Sequence, residues 1–306
     1  MSTINVDNVL PQSVARVVVG GCPMEYDVTY RNLTVGDVIS DSMTSYDNII
    51  VGHDSGSALT TGANNTVVGA YAMQDCTTGS SNSVFGHGAL ANATTAFMNT
   101  AIGAGSMSNN LTGASNVGIG INALNQGASA TNNVAIGTNA GLSANGTNNV
   151  YIGYLAAQLQ TVGNNNITIG NSAANSTTTA SNEITLGNSS NTVLRCAVTT
   201  ITSLSDERDK DQITDLSVGL DFINEIKPVS FVWKDRDEEG KQGIKDSGFT
   251  AQNLKQVQEK YNLSEELKLV YESNPEKLEA SYGRLIPVLV KAIQDLSKEI
   301  EILKTK

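Results

Sequence analysis

Between Ile49 and Gly187 an apolar residue followed by glycine returns at a nearly fixed interval, at Val51-Gly52, Val68-Gly69, Phe85-Gly86, Ile102-Gly103, Ile119-Gly120, Ile136-Gly137, Ile152-Gly153, Ile169-Gly170 and Leu186-Gly187. The interval is 17 residues, with one step of 16 between Gly137 and Gly153. Self-similarity at such a period is the signature of a stacked repeat. Polar and apolar positions alternate with period two before each anchor, so each copy predicts one short strand with the residue before glycine as its buried position. Four before the anchor stands asparagine, from Asn48 through Asn166, replaced by Glu183 in the last copy. That column predicts side-chain hydrogen bonds from coil to coil, with asparagine tolerating the left-handed backbone of a tight corner. Three after the anchor the residue is always small, as in Ser55, Ala72, Ala140 and Ser190. A constant small side chain predicts close approach by another backbone.

A unit with only one or two large apolar side chains cannot bury a core alone, so its stability must come from stacking coil on coil and chain on chain. The expected fold is therefore mainly β: a trimeric parallel β-roll or β-helical shaft of nine 17-residue repeats over residues 48–191, with Glu183 suited to a capping copy. Residues 1–47 read as a β segment with short extended stretches at Arg16 to Val19, Asp27 to Tyr30 and Leu33 to Val35. Residues 192–204 read as a linker strand.

From Ser205 the pattern changes. Leu216 to Ile226 has helical apolar spacing, Val229 to Trp233 predicts a strand, Gly248 to Ala251 a second, and Gln252 to Tyr261 a short helix. From about Tyr282 the positions Ile286, Leu289, Ile293, Leu296, Ile300 and Leu303 follow alternating steps of three and four, the seam of a coiled coil. Pro287 is tolerable there because it falls in the first turns. Residues 205–306 are thus expected to form a small α+β domain ending in a coiled-coil helix.

Charge marks the same boundary. The net charge is −11, yet 16 of the 19 Lys and Arg and 21 of the 30 Asp and Glu lie from Ser205 onward. No Lys or Arg stands between Arg31 and Arg195, and from Gly52 to Asn182 the only charged side chains are Asp54 and Asp75. The repeat therefore lacks the cations that meet phosphate, which excludes nucleic acid as its partner. No apolar run reaches 18 residues, so no membrane insertion is expected, and the opening MSTINVDNVL lacks the basic and apolar regions of a signal peptide. Cys22, Cys76 and Cys196 are widely spaced and expected to be reduced thiols. His53 and His87 each follow an anchor glycine. A ring of three imidazoles on a three-fold axis could hold a metal, but Ala70, Ile121 and Tyr154 share the column, so an ordinary outward position is the reading taken. No cofactor or metal is expected.

Three resemblances bear on function. The opening Ser2 to Val9 looks like the start of many phage tail-fibre polypeptides, whose N-terminal part docks on the virion. Asn133-Val134-Ala135-Ile136-Gly137-Thr138-Asn139-Ala140-Gly141 is similar to the head repeats of trimeric bacterial adhesins. The third resemblance covers about a third of the chain and is carried by Ser205-Asp206-Glu207-Arg208-Asp209-Lys210, by Leu220 to Phe231, by Gly248-Phe249-Thr250-Ala251-Gln252 and by Leu285 to Ile293. In that order and spacing they resemble the C-terminal intramolecular chaperone and auto-processing domain of phage tailspikes, endosialidases and fibres. The resemblance implies a domain that trimerises, templates the folding of the β shaft before it and then releases itself. It carries a Ser and Lys dyad onto Ser205 and Lys210, with the cut between Leu204 and Ser205.

The residues agree with that chemistry. A hydroxyl and an amine five positions apart supply a nucleophile and a base, provided that burial or a cationic neighbour such as Arg208 lowers the amine's pKa. The plainer alternative is that Ser205 caps a helix and Lys210 is a solvated charge. Together these readings give a self-cleaving serine endopeptidase acting only in cis. The whole reads as a phage tail-fibre protein, made in the host cytoplasm and carried on the virion as a homotrimer. Virion or tail proteins are expected at its N-terminus and a host surface glycan or protein receptor elsewhere, with the outward loops Gln74 to Ser81, Asn122 to Thr131 and Ala157 to Asn164 as candidate surfaces. The rivals are a glycan-cleaving tailspike, which wants paired carboxylates that Asp54 and Asp75 do not supply, and a bacterial trimeric surface adhesin, which wants a signal peptide and an anchor.

Overall fold

Asn133 shows how the repeat becomes a solenoid. Its backbone N–H and its Nδ2 both donate to Asn116 Oδ1, at 2.9 and 3.2 Å, and its Nδ2 also donates to the Gly146 carbonyl at 2.8 Å. The Asn133 Oδ1 in turn accepts from the N and Nδ2 of Asn149, at 2.9 and 3.1 Å. The ladder of buried asparagines runs in this way from coil to coil. A buried amide pairs its polar atoms this way or costs about 1–3 kcal/mol.

The computed structural model describes residues 14–19, 22–27, 30–36, 43–191, 193–195, 205–234 and 242–305. It divides into two units, Met1–Asn188 and Ser189–Lys306. The first is a mainly β solenoid. Strands β1 (Val14–Val19), β2 (Cys22–Asp27) and β3 (Asn32–Val35) pair antiparallel. Nine three-residue strands follow: β4 (Ile49–Val51), β5 (Thr66–Val68), β6 (Ser83–Phe85), β7 (Thr100–Ile102), β8 (Val117–Ile119), β9 (Val134–Ile136), β10 (Val150–Ile152), β11 (Ile167–Ile169) and β12 (Ile184–Leu186). From β3 onward each strand pairs parallel with the next in unbroken register.

The anchor glycines are required by geometry. From Gly52 to Gly170 their φ lies between +128° and +147°. A Cβ on Gly137 would stand 2.5 Å from the carbonyl oxygen of Gly153 in the next coil. A side chain would therefore both strain the backbone and wedge the coils apart.

The strand face is the reverse of the sequence expectation. The middle residue of each strand points inward: Ile50, Val67, Val84, Ala101, Ala135 and Tyr151 are buried, whereas Phe85, Ile102, Ile136 and Ile169 before the glycines are exposed in the single chain. The reason is the narrow bore. Its large apolar filling comes from a second column four residues after the anchor, where Met73, Leu90, Met107 and Leu124 are fully buried. The two columns compensate in volume. Gly118 sits against Met107, and Gly141 against Tyr151. The small column is buried as expected, with Ala72, Ala89, Ala123, Ala140, Ala156 and Ala173 at 0% exposure. The left-handed residue of the corner is the one before the ladder asparagine, such as Asn132 at φ 57° and Asn148 at φ 60°, and not the ladder asparagine itself. That leaves the ladder residue free to point inward.

One rung was missed. Asn48 N and Nδ2 donate to Asn32 Oδ1 at 2.9 and 3.2 Å, and a Cβ on Gly36 would stand 2.2 Å from the Gly52 carbonyl oxygen. Asn32-Leu33-Thr34-Val35-Gly36 is thus the first copy of the pattern, 16 residues before the next. Its strand carries Leu33 to Val35 as expected; of the stretch expected from Asp27 to Tyr30, Val28 and Thr29 lie outside the described residues, and Asp27 Oδ1 accepts from Tyr30 N at 3.1 Å.

In the second unit, α1 (Leu220–Glu225), β13 (Val229–Val232), β14 (Lys245–Gly248), α2 (Ala251–Lys260), α3 (Ser264–Leu267), β15 (Val270–Tyr271), β16 (Glu279–Ala280) and α4 (Ile286–Lys304) surround a core that includes Phe222, Leu254, Val257, Leu269, Leu285 and Val288. The second strand, expected at Gly248 to Ala251, instead runs Lys245–Gly248 and shares only Gly248 with that stretch, because Thr250 serves as the cap of α2 and accepts from Asn253 N at 3.3 Å. Helix α4 opens through a 3-10 turn at Tyr282–Leu285 with Pro287 in its first turn. It packs Val288 and Ala292 inward while Ile286, Leu289, Ile293, Leu296, Ile300 and Leu303 stay exposed.

Candidate functional site

The segment that opens the second unit folds back on itself over six residues. A single 3-10 turn, Glu207–Asp209, is capped by Asp206, whose Oδ1 accepts from Arg208 N at 2.9 Å, and Lys210 N donates to Glu207 O at 3.1 Å. The turn returns the Lys210 side chain to the start of the segment. Its Nζ stands 2.7 Å from Ser205 Oγ and 3.2 Å from the Ser205 carbonyl oxygen. The two residues proposed from sequence are therefore brought into hydrogen-bond contact. Leu204, the other side of the expected cut, lies outside the described residues, as do Cys196 and most of the linker.

Ser205 caps nothing here, since Asp206 takes the capping position. Arg208 is also engaged. Its Nη2 and Nε donate to Asp206 at 2.6 and 3.0 Å. That hydrogen-bonded guanidinium holds the Asp206 carboxyl below the usual carboxylate range, and the Arg208 guanidinium is pushed up in return. The cation expected to tune Lys210 is thus paired with a neighbouring anion, which blunts its field. Ser205 and Lys210 are both exposed in the single chain. An amine serves as a base near neutral pH only where its charged form is disfavoured, so nucleophilic chemistry by this pair needs a surface that covers Nζ.

Other sequence candidates are also placed. Tyr71 stands between His53 and His87, with ring centroids 5.1 and 5.5 Å away, so an aromatic ring separates the two imidazoles of one chain. Asp54 accepts from Gln74 at 2.5 Å. Glu183, in the last asparagine position, donates its N–H to Asn166 Oδ1 at 3.0 Å, and its own carboxylate turns to Ser176 within the same coil.

Residues 205–263 match the sequence model of the family described as chaperone of endosialidase. The match begins at the candidate nucleophile and runs through α1, β13, β14 and α2 to the end of the loop before α3. It covers roughly a fifth of the chain and supports an intramolecular chaperone segment placed C-terminal to a β-solenoid. Neither the curated proteins nor the solved structures contain a match to this chain.

Proposed function

We propose that the chain is a phage tail-fibre protein, a virion attachment protein whose C-terminal domain assembles three copies, guides folding of the β shaft and then removes itself between Leu204 and Ser205. The observation that carries this reading is the 2.7 Å contact between Lys210 Nζ and Ser205 Oγ at the first residue of the chaperone-like segment. Ser205 Oγ attacks the Leu204 carbonyl carbon while Lys210 accepts the hydroxyl proton. The C–N bond then breaks and the proton passes to the departing Ser205 amine, leaving an ester through Oγ. Water hydrolyses that ester to a Leu204 carboxylate and restores the Ser205 hydroxyl. The base needs a dry Nζ, and assembly is the step that supplies cover.

The exposed heptad face of α4 supports association of like chains, since a helix leaving six apolar residues in water on one seam is one strand of a coiled coil. Each strand pairs with one 16 or 17 residues away, so the first coil must close a loop before stacking rewards it, and joining three ends first lowers the entropy cost of that start. Intact mass spectrometry of freshly made protein tests the cut. The expected products are residues 1–204 and 205–306, and Ser205→Ala is expected to remain whole. A wild-type chain that stays at 306 residues would make the domain a retained trimerisation cap.

A further inference from the structure

The bore of the solenoid is not apolar throughout. A third buried column stands seven residues after the anchor glycine, and its larger side chains lie over a glycine three residues on: Leu59 over Gly62, Cys76 over Gly79, Asn110 over Gly113 and Gln160 over Gly163. Ala93 and Gly127, small themselves, are followed by Ala96 and Ala130. Glycine is thus kept where the column side chain needs room. Two of the large side chains are amides, and both are buried.

Gln160 is satisfied. Its Nε2 donates to the Ala180 carbonyl, 20 residues on in the next coil, at 2.9 Å, and the same oxygen accepts from the ladder residue Asn166 at 2.8 Å. Asn110 is not. It is 0% exposed, and neither its Nδ2 nor its Oδ1 has a hydrogen-bond partner among the described residues. The carbonyl in the corresponding place is that of Ala130, which accepts from the ladder residue Asn116 at 2.6 Å and keeps its second lone pair. Asparagine is one methylene shorter than glutamine, and so stops short of it. A third polar group lies in the same coil as Ala130. The column residues Cys76, Ala93, Asn110 and Ala144 each donate their N–H to the carbonyl three residues before, but at Gly127 that bond is replaced by one from Ala128 N to Gln126 O, and the buried Gly127 N–H has no acceptor among the described residues.

Two unused donors and one unused acceptor lie buried around a place where the neighbouring column positions carry only the methyl of Ala93 and no side chain at Gly127. Buried polar groups in such a setting are met by a partner with two to four hydrogen bonds. An ion is a poor occupant, since from Gly52 to Asn182 the only charged side chains are Asp54 and Asp75, and a buried charge needs an opposite one. We infer that Asn110, Gly127 and Ala130 form an internal binding site for one water molecule, which accepts from Asn110 Nδ2 and Gly127 N–H and donates to Ala130 O. The water stands in for the methylene by which Gln160 exceeds Asn110. The site lies within one chain and depends neither on the trimer nor on the cut.

Crystal structures of the wild-type protein and of Asn110→Gln, at a resolution that shows ordered water, test this. The variant places over Gly113 the side chain that Gly163 already accommodates. The wild-type map is expected to show one water peak about 2.7–3.2 Å from Asn110 Nδ2, Gly127 N and Ala130 O. In the variant the peak should be gone and Nε2 should donate directly to Ala130 O. A wild-type map with no peak there, or a peak that persists unchanged beside the glutamine, would overturn the site. Should the variant fail to fold, the wild-type map decides alone.

Discussion

Gly141 and Tyr151 occupy one volume: a Cβ on Gly141 would stand 2.5 Å from Tyr151 Cδ2 and 3.1 Å from Leu124 Cδ2. Gly141 also has φ +56°, a conformation that disfavours side chains. Gly141→Ala is therefore expected to lower the unfolding midpoint clearly. Tyr151→Ala, which removes a fully buried ring, should cost about 3–5 kcal/mol. Calorimetric midpoints equal to wild type in both variants would contradict this packing.

Tyr151 carries a separate prediction. Its hydroxyl is buried without a hydrogen-bond partner among the described residues, and burial pushes the phenol pKa up. An unsatisfied buried hydroxyl costs about 1–3 kcal/mol. Tyr151→Phe keeps the ring and removes that cost, so it should leave stability unchanged or raise it. A loss of thermal stability would show that the hydroxyl has a partner.

The ladder predicts an uneven response to alanine. Asn133→Ala leaves the backbone N–H of Asn149 and its Nδ2 without their acceptor and the Gly146 carbonyl without its donor. About 1–3 kcal/mol per orphaned group is expected. Asn145→Ala, at an exposed corner, should cost much less, and equal costs in denaturant melts would refute the ladder's role.

Cys76 sets a test in alkali. Burial pushes its thiol up to about 11. Above pH 9 the unfolded thiol ionises while the folded one stays protonated, so the folded state binds more protons. Its contribution is whole below pH 9 and is lost as the pH rises toward 11. The stability of wild type relative to Cys76→Ala should fall across that window. Parallel curves for the two proteins would remove the thiol as cause.

Lys210→Ala and Ser205→Ala should each abolish the cut and leave a trimer with the full 306-residue chain. Deleting residues 205–306 before synthesis should yield aggregated shaft. The pair of outcomes separates chemistry from assembly, since the substitutions spare the core around Phe222 and Val288 that holds the domain together. Soluble, trimeric shaft from the truncated gene would refute the chaperone role.

The parts of the fold legible in sequence were those set by backbone demands. The anchor glycine, the asparagine ladder and the small column each answer one steric or hydrogen-bond requirement, and such a requirement repeats without variation. The strand face was misread because a three-residue strand offers apolar side chains on both sides, and Ile136 looks more like core than Ala135. What decides is the width of the bore, filled by Met107 and Leu124 from a column that the alternation rule does not reach. Asn32 and Gly36 escaped because an antiparallel strand pair precedes them, although the same five-residue pattern was present. At the site, Ser205 and Lys210 were legible as a pair, but the diversion of Arg208 to Asp206 depends on a turn that spacing alone does not specify.

Glu183 ends the asparagine ladder. Each asparagine below it extends an amide oxygen toward the next coil, whereas Glu183 spends both carboxylate oxygens on Ser176 in its own coil. The ladder thus terminates, since a further coil would find no side-chain acceptor at that position. A stack of parallel strands is otherwise a template for endless growth at its open end. One acidic residue in place of an amide thus closes the side-chain ladder at the last coil.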